Sequence, residues 1–290
     1  MQLKSGIKIY SEKLDNIVKI NSGTIHHSHQ SPNEIIFKDL KFIQKYEPEA
    51  HLPKRDWRSP NKEEIKVING ENKNKKDYNS VFTGEIPLKI QKIFNELDLH
   101  SAHSEIEVLE KFRSNSNSVG KLNSELNNFL ENISLAPFNF MSIATNYPNS
   151  EIVSLDKRKL PANYTVEDLQ YIGIHKDSSE KMTLHSAHKC GNRLTINLGE
   201  QSRYLLFTNL SMIQAYNMIK EKIDVKENNV NNKNITSFFL KLFPDYPMLR
   251  VEQKPYHYYI APTDNCFHDG STLGNTSLDI VITYLGKFVI

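Results

Sequence analysis

"NRLTINLGEQSRYLLFTNL", residues 192–210, sets Leu194, Ile196 and Leu198 on one side of an extended chain and Thr195 and Asn197 on the other. A period of two is the mark of a half-buried β-strand. Gly199 closes that strand, and "RYLLF" starts another. Similar short segments lie on both sides: "FNFMSIATNYP" (138–148), "DLQYIGIHKDS" (168–178), "PYHYYIAPT" (255–263), "NCFHDGS" (265–271) and "LDIVITYLG" (278–286). Helical texture interrupts them at 211–223 and 236–243, around an Asn-rich loop at 227–234. Before residue 136 the chain changes character. Ile86, Ile90, Ile93 and Phe94 recur at helical spacing behind Pro87, and Leu122, Leu126, Phe129 and Leu130 form a second stripe. Residues 61–81 read as a polar loop, while 15–21 and 34–43 fit short strands or helix turns equally. Helices first, then many short strands, predict the α+β class: a barrel or jelly-roll core over 136–290 with a helical insert, supported by a mixed, helical region over 1–135, the two forming one integrated domain.

With 290 residues, 38% hydrophobic and 10% aromatic, the chain has material for a sizeable core. Lys+Arg 36 against Asp+Glu 34 leaves a net charge of +2, which favours neither nucleic acid nor a membrane surface as partner. No apolar run approaches the roughly 18 residues of a membrane span. Charges are mixed through the N-terminal segment, unlike a signal peptide. Two cysteines, Cys190 and Cys266, are too few for a disulfide framework. These features predict a soluble, cytoplasmic protein acting on a small molecule.

His175-Lys176-Asp177 puts an acid two places after a histidine. On a strand both side chains share one face and can reach one ion. Two histidines and one carboxylate on one face of an octahedron form the non-haem Fe(II) arrangement. His268, several strands later and followed by Asp269-Gly270, read as a turn, is the second histidine. In these residues the chain resembles the Fe(II)- and 2-oxoglutarate-dependent oxygenases over roughly 138–290. The resemblance implies a double-stranded β-helix core, iron on His175, Asp177 and His268, and 2-oxoglutarate and dioxygen as cosubstrates. It also implies hydroxylation or desaturation of an unactivated C–H bond.

One family feature is missing. An arginine a short way beyond the distal histidine usually pairs with the far carboxylate of 2-oxoglutarate, but "STLGNTSLDIV" contains no base, and Ser277 and Asp279 stand there instead. Some branches, Jumonji-type enzymes among them, take the base from a strand after the H-x-D pair. That makes Arg193 the expected anchor and Arg203 the reserve, because a carboxylate needs a cationic fork whichever strand supplies it. Asn146 and Tyr171, flanking the first core strands, are candidates for cosubstrate contact. The substrate expected is a small polar metabolite, such as a free or carrier-bound amino acid.

Other readings compete. His257 is the rival distal ligand. His185, His188 and Cys190 have spacings that suit zinc but lack a Cys-x-x-Cys pair. His103-Ser104-Glu105 has the H-x-E form in helical or loop surroundings, and "HHSHQ" (26–30) reads as a solvated loop. Cys266 reads as a small apolar filler, and Trp57, between Arg55 and Arg58, as part of a surface loop or lid. The rival functional classes are a non-catalytic cupin- or lectin-like metal-binding jelly roll and a zinc-dependent cupin-type hydrolase or isomerase.

Overall fold

The computed structural model describes residues 1–70 and 77–290. Its frame is two sheets. The larger runs β1 (Ile9–Tyr10), β7 (Val81–Glu85), β12 (His257–Ala261), β9 (Asn192–Asn197), β14 (Asp279–Gly286), β8 (Asn139–Asn146) in spatial order. The smaller runs β13 (His268–Ser271), β10 (Arg203–Phe207), β11 (Leu249–Gln253), β2 (Val18–Ile20). Pairing is antiparallel throughout except between β1 and β7. From β8 onward the chain crosses repeatedly between the sheets. It leaves the larger sheet after β8, pairs His175 with His268 at the edge of the smaller one, and returns for β9. It then makes β10 and β11 in the smaller sheet, β12 in the larger, β13 in the smaller and β14 in the larger.

The two sheets share a core in which Val18, Leu205, Phe207 and Val251 of one meet Ile9, Val81, Tyr259 and Ala261 of the other. Leu194, Ile196, Ile260 and Ile282 face away from that core. They pack against α3 (Leu88–Glu96), α4 (Glu105–Ser114) and α5 (Ser116–Asn132) through Ile90, Val108 and Leu126. Leu206 and Phe267 on the outer side of the smaller sheet pack against α6 (Met212–Lys220) and α7 (Ile235–Leu242) through Ala215 and Phe239. The polar side of β9 is therefore not solvated: Thr195 and Asn197 are buried between the sheets. Gln253 Nε2 donates to the Thr195 carbonyl at 2.8 Å, and Asn197 Nδ2 to the Gln253 carbonyl at 3.0 Å. Those bonds offset the cost of burying polar groups.

Several sequence expectations need correction. Within 61–81, Lys62–Ile68 is a helix, α2, started by a reciprocal cap between Asn61 and Glu64; residues 71–76 of that stretch lie outside the described residues. The segments at 15–21 and 34–43 resolve into α1 (Leu14–Ile17) running into β2, and a hairpin of β4 (Glu34–Phe37) with β5 (Leu40–Ile43). A further pair joins β3 (Thr24–His26) to β6 (His51–Pro53). The H-x-D segment is not a regular strand. Gly173 takes φ +81, and its backbone passes so close to His51 that a Cβ would lie 2.9 Å from main-chain atoms, so only isolated bridges form at Tyr171 and His175.

Asp269-Gly270 is likewise not a turn but the middle of β13, paired with Leu206 and Leu205. Here the glycine permits close approach: a Cβ on Gly270 would stand 2.7 Å from Arg203 Nη2 and 2.8 Å from Val153 Cγ2. We expect Gly270→Ala to lower stability by about 1–3 kcal/mol through overpacking, read as a fall in the urea midpoint at unchanged slope. A neutral result would show that Arg203 moves freely.

No helix among the described residues is long and apolar enough to cross a membrane.

Candidate metal centre

His175, Asp177 and His268 each bring one ligand-capable atom to within 4.8 Å of the other two, and this is the one such group of three among the described residues. Two main-chain bonds draw the segments together: His175 N donates to His268 O at 3.1 Å and His268 N to His175 O at 2.6 Å. Asp177 is fixed by its own N–H on Thr263 O, at 3.0 Å. The imidazoles lie side by side, with centroids 4.7 Å apart.

Their orientation follows from the backbone. His175 Nδ1 is 2.9 Å from the Gly173 carbonyl, and His268 Nδ1 is 3.4 Å from that of Cys266. A carbonyl oxygen only accepts, so each ring keeps a proton on Nδ1 and aims Nε2 at Asp177. The Nε2 atoms stand 3.7 Å from Asp177 Oδ1 and 3.3 Å from Oδ2 respectively. Ligands at roughly 2.1 Å from one ion and at right angles are about 3 Å apart, so small movements close the set on a cation. Asp177 Oδ2 is buried and makes no hydrogen bond among the described residues, although Arg193 Nη1 lies 3.0 Å away. A buried carboxylate facing two imidazole nitrogens fits a divalent metal.

Burial opposes charge on His175, but Asp177 and Asp269 outweigh it and raise its pKa to about 10. Burial also opposes charge on Asp177, yet His268, His175 and Arg193 hold it well below the usual carboxylate range. The two acids thus favour a proton on His175 that a metal must displace. Metal affinity should rise about tenfold per pH unit through neutrality, flattening near the raised pKa. Calorimetry in buffers of different ionisation heat at pH 7 should find about one proton released; finding none would mean His175 is already neutral.

Sequence reasoning missed Asp269, having taken it for a turn residue. Its Oδ1 accepts from the N–H groups of Val153 and Ser154, and its Oδ2 lies 3.5 Å from His175 Nδ1. No spacing rule separates such a partner from a turn acid.

Arg193 reaches the centre but meets Asp177 there, with Nη2 donating to Ser179 Oγ at 2.9 Å. Arg203 lies deeper between the sheets, buried, with Nε 3.1 Å from Asp279 Oδ1 and Nη1 donating to Gln253 Oε1 at 3.2 Å. Asn146 joins that group, its Nδ2 donating to Asp279 Oδ2 at 2.6 Å. Tyr171 is buried in the outer core with Tyr46 and Leu52, and burial raises its hydroxyl pKa.

The competing histidines fall elsewhere. His257 opens β12 beside Glu85. Cys190 makes a 3.5 Å contact with Met182 sulfur. His103 precedes the capped start of α4, and His26 lies tilted against His27 and edge-on to His51. Cys266 is buried in the core between the sheets, where burial raises its thiol pKa. Trp57 packs under Arg250, whose guanidinium lies over its ring at 4.8 Å and over that of Tyr204 at 4.6 Å.

No family model matches the chain, and no curated protein does. Among solved structures it is similar to the apo form of the Kdo hydroxylase KdoO, described as a non-heme Fe(II) alphaketoglutarate-dependent dioxygenase, with TM-score 0.39 and 10% identity over 72% of this chain and 80% of that one. The cobalt(II) complex and the complex with succinate and Fe(III) of the same hydroxylase give TM-scores of 0.37 and 0.36 at the same identity and coverage. At that distance the site's own geometry carries the functional reading.

Proposed function

We propose that this chain is an Fe(II)- and 2-oxoglutarate-dependent oxygenase on a double-stranded β-helix, acting on a small polar metabolite. The observation that supports it is the convergence of His175, Asp177 and His268, from two distant stretches of chain, on one point between the sheets. His175 and His268 offer Nε2, with the Gly173 and Cys266 carbonyls holding their tautomers. Asp177 offers its carboxylate, steadied by Arg193. When bound, iron with 2-oxoglutarate and dioxygen supplies the oxidising chemistry, and the protein orients the C–H bond and excludes water. Because a carboxylate occupies position 177, the set favours hydroxylation over halogenation, for which related enzymes carry a small residue there.

For the far carboxylate of 2-oxoglutarate we favour Arg203 over Arg193. A carboxylate on Arg193 would crowd Asp177, only 3.0 Å away. Arg203 lies against Gly270, two residues or about 7 Å along the strand from His268. That separation suits a five-carbon diacid held at its other end by the metal. Its Nε and Nη1 are engaged, but a guanidinium has five N–H donors.

One observation favours a second reading. Both arginines already meet carboxylates, Asp177 and Asp279, as they would in a metal-binding jelly roll or zinc-dependent cupin-type enzyme that takes no diacid. Anaerobic loading with Fe(II), addition of 2-oxoglutarate and then oxygen distinguishes them. The oxygenase should show a visible charge-transfer band and release succinate; a lack of both, with zinc-supported activity independent of oxygen, would favour the second.

A further inference from the structure

Against His175 lies a cavity of about 360 Å³, at the small end for ligand sites. Its walls come from the segment around Glu47 and Glu49, from residues 172–178, and from the stretch leading into α7. Its charges are unbalanced. Glu47 is already paired with Lys159 at 2.7 Å and Glu49 with Lys241 at 2.5 Å. Lys176 and Lys233, on the other walls, meet no carboxylate in an ion pair among the described residues. Lys176 Nζ is held only by the Asp177 carbonyl at 2.8 Å and Ser178 Oγ at 2.9 Å, and burial lowers its pKa. Ile174 and Leu240 add apolar surface, and Asn232 and Thr236 add hydrogen-bonding groups.

We propose that this cavity binds the carboxylate end of a small, hydroxyl- or amino-bearing substrate, through Lys176 and Lys233, and so presents it to the metal centre. Two ammonium groups without an ion-pair partner among the described residues, Lys176 half-buried and Lys233 exposed at the rim, attract an anion and form charge-assisted hydrogen bonds with it. The glutamates, neutralised within the protein, offer no comparable pull on a cation. His175 lines the cavity and Lys176 Nζ donates to the Asp177 carbonyl at 2.8 Å, so an anion held there lies against the backbone that carries two of the metal ligands. Only the word substrate rests on the oxygenase reading; the binding site does not.

The test uses matched probes on the metal-free protein: L-glutamate against L-glutamine and gluconate against sorbitol, followed by ligand-observed NMR. The acids should bind about tenfold more tightly than their uncharged counterparts. Lys233→Met and Lys176→Met should each reduce that preference, and the double variant should abolish it. Equal binding of acid and neutral probes, binding of neither pair, or a preference surviving the double substitution would overturn the site. Mn(II) then locates the ligand: broadening of the bound acid's resonances supports presentation to the metal, and their persistence as sharp lines overturns it. If Mn(II) itself does not bind while the acids do, the oxygenase reading fails and the carboxylate site stands.

Discussion

His175→Ala and His268→Ala should each abolish oxygen-dependent turnover and lower divalent-metal affinity by more than about a hundredfold, beyond the 10–100-fold typical of losing an outer partner. Each substitution removes one of three donors and leaves the buried Asp177 carboxylate facing Arg193 and a single imidazole. The contrast with Asp269→Asn makes the result specific. That change loosens His175 by removing a charge 3.5 Å from its Nδ1, so it should fall inside the 10–100-fold range. His257→Ala should bind metal like the unaltered protein. Equilibrium dialysis with Fe(II) or Co(II), with circular dichroism to verify folding, separates these cases. Equal affinity in all four variants would remove the three residues as a metal site.

Arg203→Ala should raise the 2-oxoglutarate requirement by about 30- to several-thousand-fold, the equivalent of roughly 2–5 kcal/mol for one partner of a desolvated charge pair. It should also cost about 3–5 kcal/mol of stability, because Asp279 is left charged and buried without its guanidinium. The two effects separate in a double variant. Arg203→Met with Asp279→Leu removes both charges and should recover much of the stability, yet the cosubstrate requirement should stay high. Arg193→Ala serves as the comparison. Its guanidinium is partly exposed and steadies Asp177, so it should weaken metal binding more than 2-oxoglutarate binding. If Arg193→Ala gives the large cosubstrate effect and Arg203→Ala gives none, the anchor lies at the mouth of the site instead of deep between the sheets. If neither does, the diacid is not the cosubstrate.

The alternation in 192–198 and the short strands around it carried the β-rich core, because side-chain period is a local property of an extended chain. Leu194 and Ile196 are buried on one face, as their spacing implied, and that face packs on the helices. The stripe at Ile90, Ile93 and Phe94 likewise placed α3. That His175, Asp177 and His268 come together was legible for a related reason: few side-chain types can ligate a metal, and the family resemblance singled out these three. Other features were not legible. The polar side of β9 reads as solvent-facing, yet Thr195 and Asn197 are buried, because a second sheet supplied by distant residues covers them. Asp269-Gly270 reads as a turn, yet it is strand, because Arg203 needs the space that only glycine leaves.

From its own residues, then, this chain determines local period, helix caps and an inventory of chemically able side chains. Which carboxylate pairs with which arginine, and where a wall carries lysines without ion-pair partners, were decided by tertiary structure alone. The physical reason is that a buried charge takes the nearest opposite charge in space. Asp177 with Arg193, and Asp279 with Arg203, become neighbours only when the sheets close on them.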